Sequence, residues 1–504
     1  MLRRWGLDFK CTSGLRVSPD DPGVPGTAGQ RAPSPDEETT LSNPTLHTDT
    51  DVLRRLRAAV TGQVIAPGDA EYDAARTLYY NGYDRRPAAI ARPVDAADVA
   101  RVVEVARETG VPLAVRSGGH SVAGHSVVEG GIVLDLSAQK RLKIDAAGRT
   151  AWADAGLTAG EYTVAASAHG LATGFGDTAS VGIGGITLGG GIGYLHRKYG
   201  LTIDNLLAAE VVTADGEVVV ADAESHPDLF WAIRGGGGNF GVVTRFRYRL
   251  HEVGDVLGGL MMLPMTPARL VELVGALTEA PDEVSGLAGV MFAPPMPFVP
   301  AEHHGKLVAM VMLVHSGPVA EGERFVAQLR ALASPIIDAV QPMRYPQIYE
   351  GPEPPAPARA ALHPFFIDTF DRATADAAVA ALERSSARMR VVQIRPLGGA
   401  VARVARDATA FAHRDRRMMA LAGALYEDPG ETAVHEAWAA QAAAELRRGE
   451  PGAYVGFMVE DDEARVREAY PGATWDRLAA IKARYDPANL FRLNQNVPPA
   501  NGRG

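Results

Sequence analysis

The chain has 504 residues, a formal net charge of −10 at pH 7, 46% apolar residues and a single cysteine, Cys11. That length and apolar share describe a folded chain of two or three domains, and the negative charge argues against nonspecific nucleic-acid binding. One cysteine excludes an intrachain disulfide framework and a cysteine-based metal site, no apolar run is long enough to cross a bilayer, and no apolar core follows Arg3-Arg4 as an export signal requires, so the expected location is cytoplasmic.

Residues 1–48 carry Pro22, Pro25, Pro33, Pro35 and Pro44 among small and acidic residues, and are expected to be a disordered tail. Order is expected from a short helix near Asp51. Asp95 is a good N-cap for a helix whose Val99, Val102, Val103 and Ala106 share one face, with Gly110 as its stop. Strands are expected at 111–115 and 131–136, completing a small β-α-β unit. Thr158 and Glu161 have capping-box spacing for a helix closed by Gly170. The glycine-dense stretch 181–193 reads as a loop whose backbone approaches a phosphate or a flat ring, since packing alone does not explain so many glycines. Asp215-Gly216 between two apolar runs predicts a hairpin. Phe246, Tyr248 and Leu250 alternate with Arg245, Arg247 and Arg249 on a half-buried strand. From about 254 to 455, strand-like runs (307–314, 389–394) alternate with alanine-rich helices such as 432–448, an α+β pattern with a mostly antiparallel sheet. A helix over 474–485 ends at Asp486-Pro487.

Between the strands 111–115 and 131–136 lies Arg116-Ser117-Gly118-Gly119-His120-Ser121. Its glycines permit a sharp turn, its amides can face an anion, and Arg116 adds fixed positive charge. His120 sits where a nucleophile or ligand would be held. A tight turn with a solvent-facing histidine fits these six residues equally well. Gly236–Gly241 satisfies G-x-G-x-x-G, but a helical stretch precedes it and a strand follows, the reverse of a Rossmann turn. Gly174–Ala179 matches the looser form and leads into more glycines. Gly119–Ala123 is a near miss to the nucleophile elbow, which leaves a serine hydrolase acting through Ser121 as a rival reading. His303-His304 have no partner at ligand spacing, and no metal site is expected.

Three blocks together resemble the FAD-linked oxidases of the berberine-bridge-enzyme-like family, which share the p-cresol methylhydroxylase (PCMH) type of FAD domain. They are the Arg116–Ser121 loop, the block Val181–Gly193, and Tyr485–Arg492 running into Asn494-Gln495-Asn496. The resemblance implies an α+β fold: a two-subdomain PCMH-type FAD-binding domain over 49–253, a substrate domain over 254–455, and a C-terminal segment over 456–504 that returns to the FAD domain. It implies FAD linked through its 8α-methyl to His120. Arg116, Ser117, Gly118, Gly119, Ser121, Thr178, Val181, Gly182, Gly185, Gly189, Gly190 and Gly193 would line the cofactor, with Val242 at the adenine side and Asn494 and Asn496 closing the pocket. Thr178 stands where many relatives carry a second flavin-linking cysteine, so one covalent link is expected. Gly452–Phe457 resembles a strand lying over the flavin; there Tyr454 is the candidate base, and a core tyrosine is the competing reading. His363–Phe366 departs from a family Tyr-x-Lys. The implied activity is hydride transfer from a small organic substrate to FAD, with O2 as acceptor and neither nucleic acid nor membrane as partner. An oxygen-insensitive dehydrogenase and a flavin-binding protein without turnover remain as alternatives.

Overall fold

The computed structural model describes residues 44–350 and 359–500; nearly all of the expected disordered tail lies outside them. The first helix is Pro44–Ala59, starting earlier than expected near Asp51. Proline is pre-shaped for a first helical turn, and Val52 and Leu56 on this helix are fully buried.

The first sheet orders strands Gln63–Ile65, Ala89–Arg92, Ile132–Asp135 and Leu113–Arg116, the last three parallel. Helix Ala96–Thr109 makes the crossover, capped by the Asp95 carboxylate and stopped by Gly110 at φ 71°. Parallel pairing puts the C-terminal end of Leu113–Arg116, and so the Ser117–His120 loop, at one sheet edge. The second sheet is antiparallel, in the order Leu142–Asp145, Thr150–Asp154, Val242–Arg249, Leu206–Val212, Val218–Asp222. The hairpin at Gly216 (φ 88°) and the inward set Phe246, Tyr248, Leu250 form as the pattern predicts. Thr158 and Glu161 close a full capping box on helix Ala159–Ser167.

The third sheet is also antiparallel. Its long strands are Asp255–Pro264, Leu307–His315, Val284–Phe292, Met389–Pro396, Met418–Tyr426 and Arg359–Ile367, in that spatial order. Helices Pro267–Thr278, Val319–Leu332, Arg372–Arg384 and Thr432–Leu446 bury one of its faces. Helix Ala473–Tyr485 returns to the first half, where Trp475, Leu478, Ile481 and Phe491 join the core of the first two sheets.

Two local expectations are corrected. The stretch 181–193 is not all loop: Ile183–Gly189 is a short helix with Gly182 as N-cap. Gly174–Ala179 therefore does run towards a helix, but Ser180–Gly182 intervene, so no tight strand–turn–helix forms. Residues 452–457 are not a strand. Val455–Phe457 form a single 3-10 turn, so period-two alternation does not govern where Tyr454 points.

Candidate active site

The two glycine blocks meet backbone to backbone. A Cβ on Gly118 would lie 2.2 Å from the Gly182 nitrogen, and a Cβ on Gly182 would lie 2.2 Å from the Gly118 nitrogen. No side chain fits there, which is the physical demand behind both glycines. Ser117 ties the contact together: its Oγ donates to the Ala155 carbonyl (2.6 Å) and accepts from the Gly184 amide (3.3 Å). Ala159 N–H donates to the Val181 carbonyl. Gly193 packs so tightly on the Phe175 carbonyl that a Cβ would overlap it at 1.3 Å. The helix 183–189 instead leaves Gly185 exposed, with nothing within 4 Å of its Cβ position.

A groove of about 250 Å³ runs beside this contact, lined by Thr77, Tyr79, Ser117, Gly118, Gly119 and Ser180 among others. Ser180 Oγ is buried there without a hydrogen-bond partner. Arg116 lines the groove but does not project charge into it. Its guanidinium donates to the carbonyls of Ala75, Arg76 and Ser126, and burial holds its pKa below the ordinary value. The expected anion contact through that charge is corrected: Arg116 braces the loop from behind, because three carbonyls would otherwise be buried unpaired. His120, half-buried at the loop end, stacks on Tyr79 with ring centroids 4.1 Å apart, and Tyr79 meets Tyr80 edge-on at 5.3 Å. Ser121 Oγ accepts from the His125 amide at 3.2 Å, in a loop with no following helix, so no nucleophile elbow forms.

The C-terminal segment closes over the Gly236–Gly241 turn. Asn239 donates to the carbonyls of Gly236 and Gln495 and accepts from the Val497 amide. Beneath it Lys482, fully buried, donates to Asp486 (2.7 Å) and to the carbonyls of Asn239 and Phe491. This fixes Asn494 and Asn496, whose Oδ1 atoms are buried with no partner. Val242 is 1% exposed and opens the strand after the turn. Backbone that only glycine allows, beside side-chain oxygens left orphaned at Ser180, Asn494 and Asn496, is what a bound polyhydroxylated, phosphate-bearing group would satisfy.

A family profile described as "FAD binding domain" matches residues 87–222, and one described as "Berberine and berberine like" matches residues 453–498. The chain is 33% identical over 454 residues to (R)-6-hydroxynicotine oxidase of Paenarthrobacter nicotinovorans, covering 88% of this chain and 97% of that protein. This chain belongs to the berberine-bridge-like FAD-linked oxidases. The solved structure of 6-hydroxy-D-nicotine oxidase from Arthrobacter nicotinovorans superposes with a TM-score of 0.78 at 28% identity, over 91% of this chain and 99% of that one. Xylooligosaccharide oxidase from Myceliophthora thermophila, solved with xylobiose, gives 0.78 at 24% identity over 89% and 99%, a likeness of fold. The cradle just described fits FAD.

In this berberine-bridge-like oxidase the seam between the third sheet and the glycine blocks brings Tyr454 and Thr178 together with Asp177 and Arg395, which the sequence did not single out. Tyr454, 4% exposed, accepts the Gly191 amide at 3.0 Å, and its ring lies 3.3 Å from where a Gly190 Cβ would be. Burial raises its pKa against the pull of the Gly191 and Ile192 amides and of Arg395. Val455 sits against Gly189, and Phe457 bridges Tyr454 (5.5 Å) and the Arg395 guanidinium (5.1 Å). Arg395 pairs with Asp177 at 2.5 Å. Burial pushes the Asp177 pKa up, yet the Arg395 charge and its hydrogen bond win and hold it below the carboxylate range. Thr178 donates to the same Asp177 carboxylate at 3.1 Å. Asp177 and Arg395 are 218 residues apart in the chain, so no spacing rule could have joined them.

Other histidines are placed away from chemistry. His196 is 2% exposed, wedged between the Gly193 and Pro396 carbonyls, and burial drops its pKa to about 4. His363 pairs with Glu460 at 2.7 Å. It shares a strand face with Ala361 and Phe365, which lie in the helix-side core, so it points away from the seam. Among the described residues no cluster of three or more metal-ligating side chains occurs, and no helix is long and apolar enough to cross a membrane.

Proposed function

We propose that the protein oxidises a small alcohol or amine, with FAD tethered once, through the His120 imidazole, and with O2 as the final electron acceptor. The observation that carries this reading is the glycine-only contact of Gly118 with Gly182, on the loop that ends in His120 and in the groove that the orphaned Ser180 oxygen lines. When bound, FAD supplies a two-electron hydride acceptor. For an alcohol, the C–H bond leaves as hydride and the O–H proton is lost as the C=O bond forms; O2 then takes up two electrons and two protons as hydrogen peroxide.

The chain's own residues bind, orient and exclude water. The amides around Ser117–Gly119 would hold the phosphates, beside the Gly182 backbone that packs on them. Tyr79 supports His120 face to face. Thr178, its hydroxyl turned to Asp177, offers no second linking nucleophile. Tyr454 stands at the seam as the group that hydrogen-bonds the substrate's hydroxyl and relays its proton. Its raised pKa leaves it a phenol at neutral pH, so the phenolate that takes the substrate's proton outright grows only as the pH rises.

The test is a substrate panel with the purified yellow protein, read by flavin bleaching without air and by peroxide formation with air. Bleaching followed by slow reoxidation in air but fast reoxidation with a dye would replace the oxidase by a dehydrogenase. Absence of a flavin spectrum would remove both.

A further inference from the structure

The third sheet turns one face to its helices and the other to the seam. Ala288, Val392, Ile394 and Ala420 lie in the helix-side core. Their alternates Leu287, Gln393, Arg395 and Leu421 therefore face the seam. Leu421 and Leu362 pack with Val122, Tyr80 and Phe457, which brings this wall against the His120 loop. Register aligns Met310, Gly289, Gln393 and Leu421 in one cross-strand row. Met310 and Met312, half-buried, pack on two smaller apolar clusters around Val308 and Val314. On the strands Met389–Pro396 and Met418–Tyr426, Gln393 and Arg395 are the polar side chains that face the seam.

Those two are locked together. Arg395 donates from Nε (3.1 Å) and Nη2 (2.8 Å) to Gln393 Oε1, while Nη2 also reaches Asp177. With Oε1 occupied by two donors, the amide has one orientation, and its NH2 points the other way. That Nε2 has no partner among the described residues and is not sealed off. Asp177 and Arg395 cancel each other's charge. Asp177 keeps 24% of its side chain open, on the side that its pairing with Arg395 leaves free.

We propose that Gln393, oriented by the Asp177–Arg395 pair, is the donor that selects the substrate, and that the substrate is an uncharged, mostly apolar alcohol with an oxygen acceptor beyond its reacting carbon. This deepens the oxidase reading and rests on it. A carboxylate would have to displace Asp177 from Arg395. An ammonium would be stripped of water beside Arg395. A sugar would leave hydroxyls facing Leu362, Leu421 and Phe457, unpaired.

The test uses the FAD-loaded enzyme and four benzyl alcohols bearing para-methoxy, para-carboxylate, para-aminomethyl or no substituent, with xylobiose as the polyol. Binding is read by perturbation of the flavin spectrum, and oxidation by anaerobic bleaching. The methoxy compound should bind tenfold or more tighter than the charged compounds and the sugar. Gln393→Leu should raise KM for the methoxy compound at least tenfold, leave kcat within threefold, and barely affect the unsubstituted alcohol. Asp177→Asn should reproduce this split at unchanged FAD content; a uniform loss of FAD content or Tm would instead mark that pair as structural and overturn its positioning role. Equal binding of charged or polyol members, an unchanged KM in Gln393→Leu, or no binding by any member overturns the subsite. Tight binding of the methoxy compound without bleaching keeps the subsite and overturns the oxidase reading.

Discussion

At the scale of single residues, the proposed function gives His120 the holding of the cofactor and Tyr454 the proton transfer. If His120 is the one tether, proteolysis of the denatured protein yields a single flavin-bearing peptide containing it. His120→Ala should still bind FAD, now released by acid, because the glycine contacts proposed to cradle the phosphates are untouched. Flavin on any second peptide would falsify the single link. Tyr454→Phe keeps the ring that fills the apolar cluster with Phe411 and Phe457 and removes the oxygen. FAD content and Tm should hold while anaerobic flavin reduction slows by about 10²-fold or more. Because burial lifts the phenol above its ordinary value of 10, the wild-type reduction rate should keep climbing through the alkaline range. That climb should vanish in the variant; a surviving alkaline limb would assign it to another group.

At the scale of elements, two devices hold the site. The first is the seam of Gly118 against Gly182. Gly182→Ala places a methyl 2.2 Å from backbone, so one segment must move, at a cost of about 1–3 kcal/mol, and flavin loading should fall. Gly185→Ala, in the same helix but facing open space, should leave the flavin-free protein as stable or gain about 0.5–1 kcal/mol. Comparable losses in both variants would show that helix propensity, not close approach, matters here. The second device is the buried pair Lys482–Asp486, whose carboxylate also accepts the amides of Leu490 and Phe491. Burial pushes the Lys482 pKa down, opposed by Asp486. Lys482→Met leaves that carboxylate buried beside unpaired carbonyls and should cost roughly 3–5 kcal/mol in denaturant unfolding. Adding Asp486→Asn should recover part of the loss, a coupling that a double-mutant cycle measures.

At the scale of the whole molecule, the two halves are joined by buried polar groups. Arg197 donates to the carbonyls of Thr278, Ala280 and Leu397, and Arg414 holds Asp204 with both terminal nitrogens at 2.7 Å. His196 and His413 are buried neutral, each with its pKa lowered to about 4 by burial. The unfolded chain protonates these histidines near pH 6.5, whereas the native state resists to about 4. Between those values the unfolded state binds more protons, so stability is full above pH 6.5 and falls towards pH 4. The two together should lower unfolding free energy by on the order of several kcal/mol over that window. Chemical-denaturation midpoints at pH 7, 5.5 and 4 check this, and replacing His413 with Gln should flatten the profile.

The sequence by itself determined most of the elements and the family. Local rules read Asp95, Gly110, the Thr158–Glu161 box and the Gly216 hairpin, since capping and left-handed turns depend on a few adjacent residues. The three glycine and asparagine blocks made the family legible, because backbone approach to a large cofactor leaves no freedom in residue type. Tertiary structure decided the rest. Arg116 has the charge an anion site wants, but its direction depends on carbonyls some forty residues away. The Gly452–Phe457 stretch has strand-like residues, yet packing against Gly189 and Gly190 turns it into a 3-10 bend. Asp177, Gln393 and Arg395 carry no local pattern at all. An ion pair spanning 218 residues exists only once two domains have been folded against each other, and charge at one position says nothing of which distant charge it will meet.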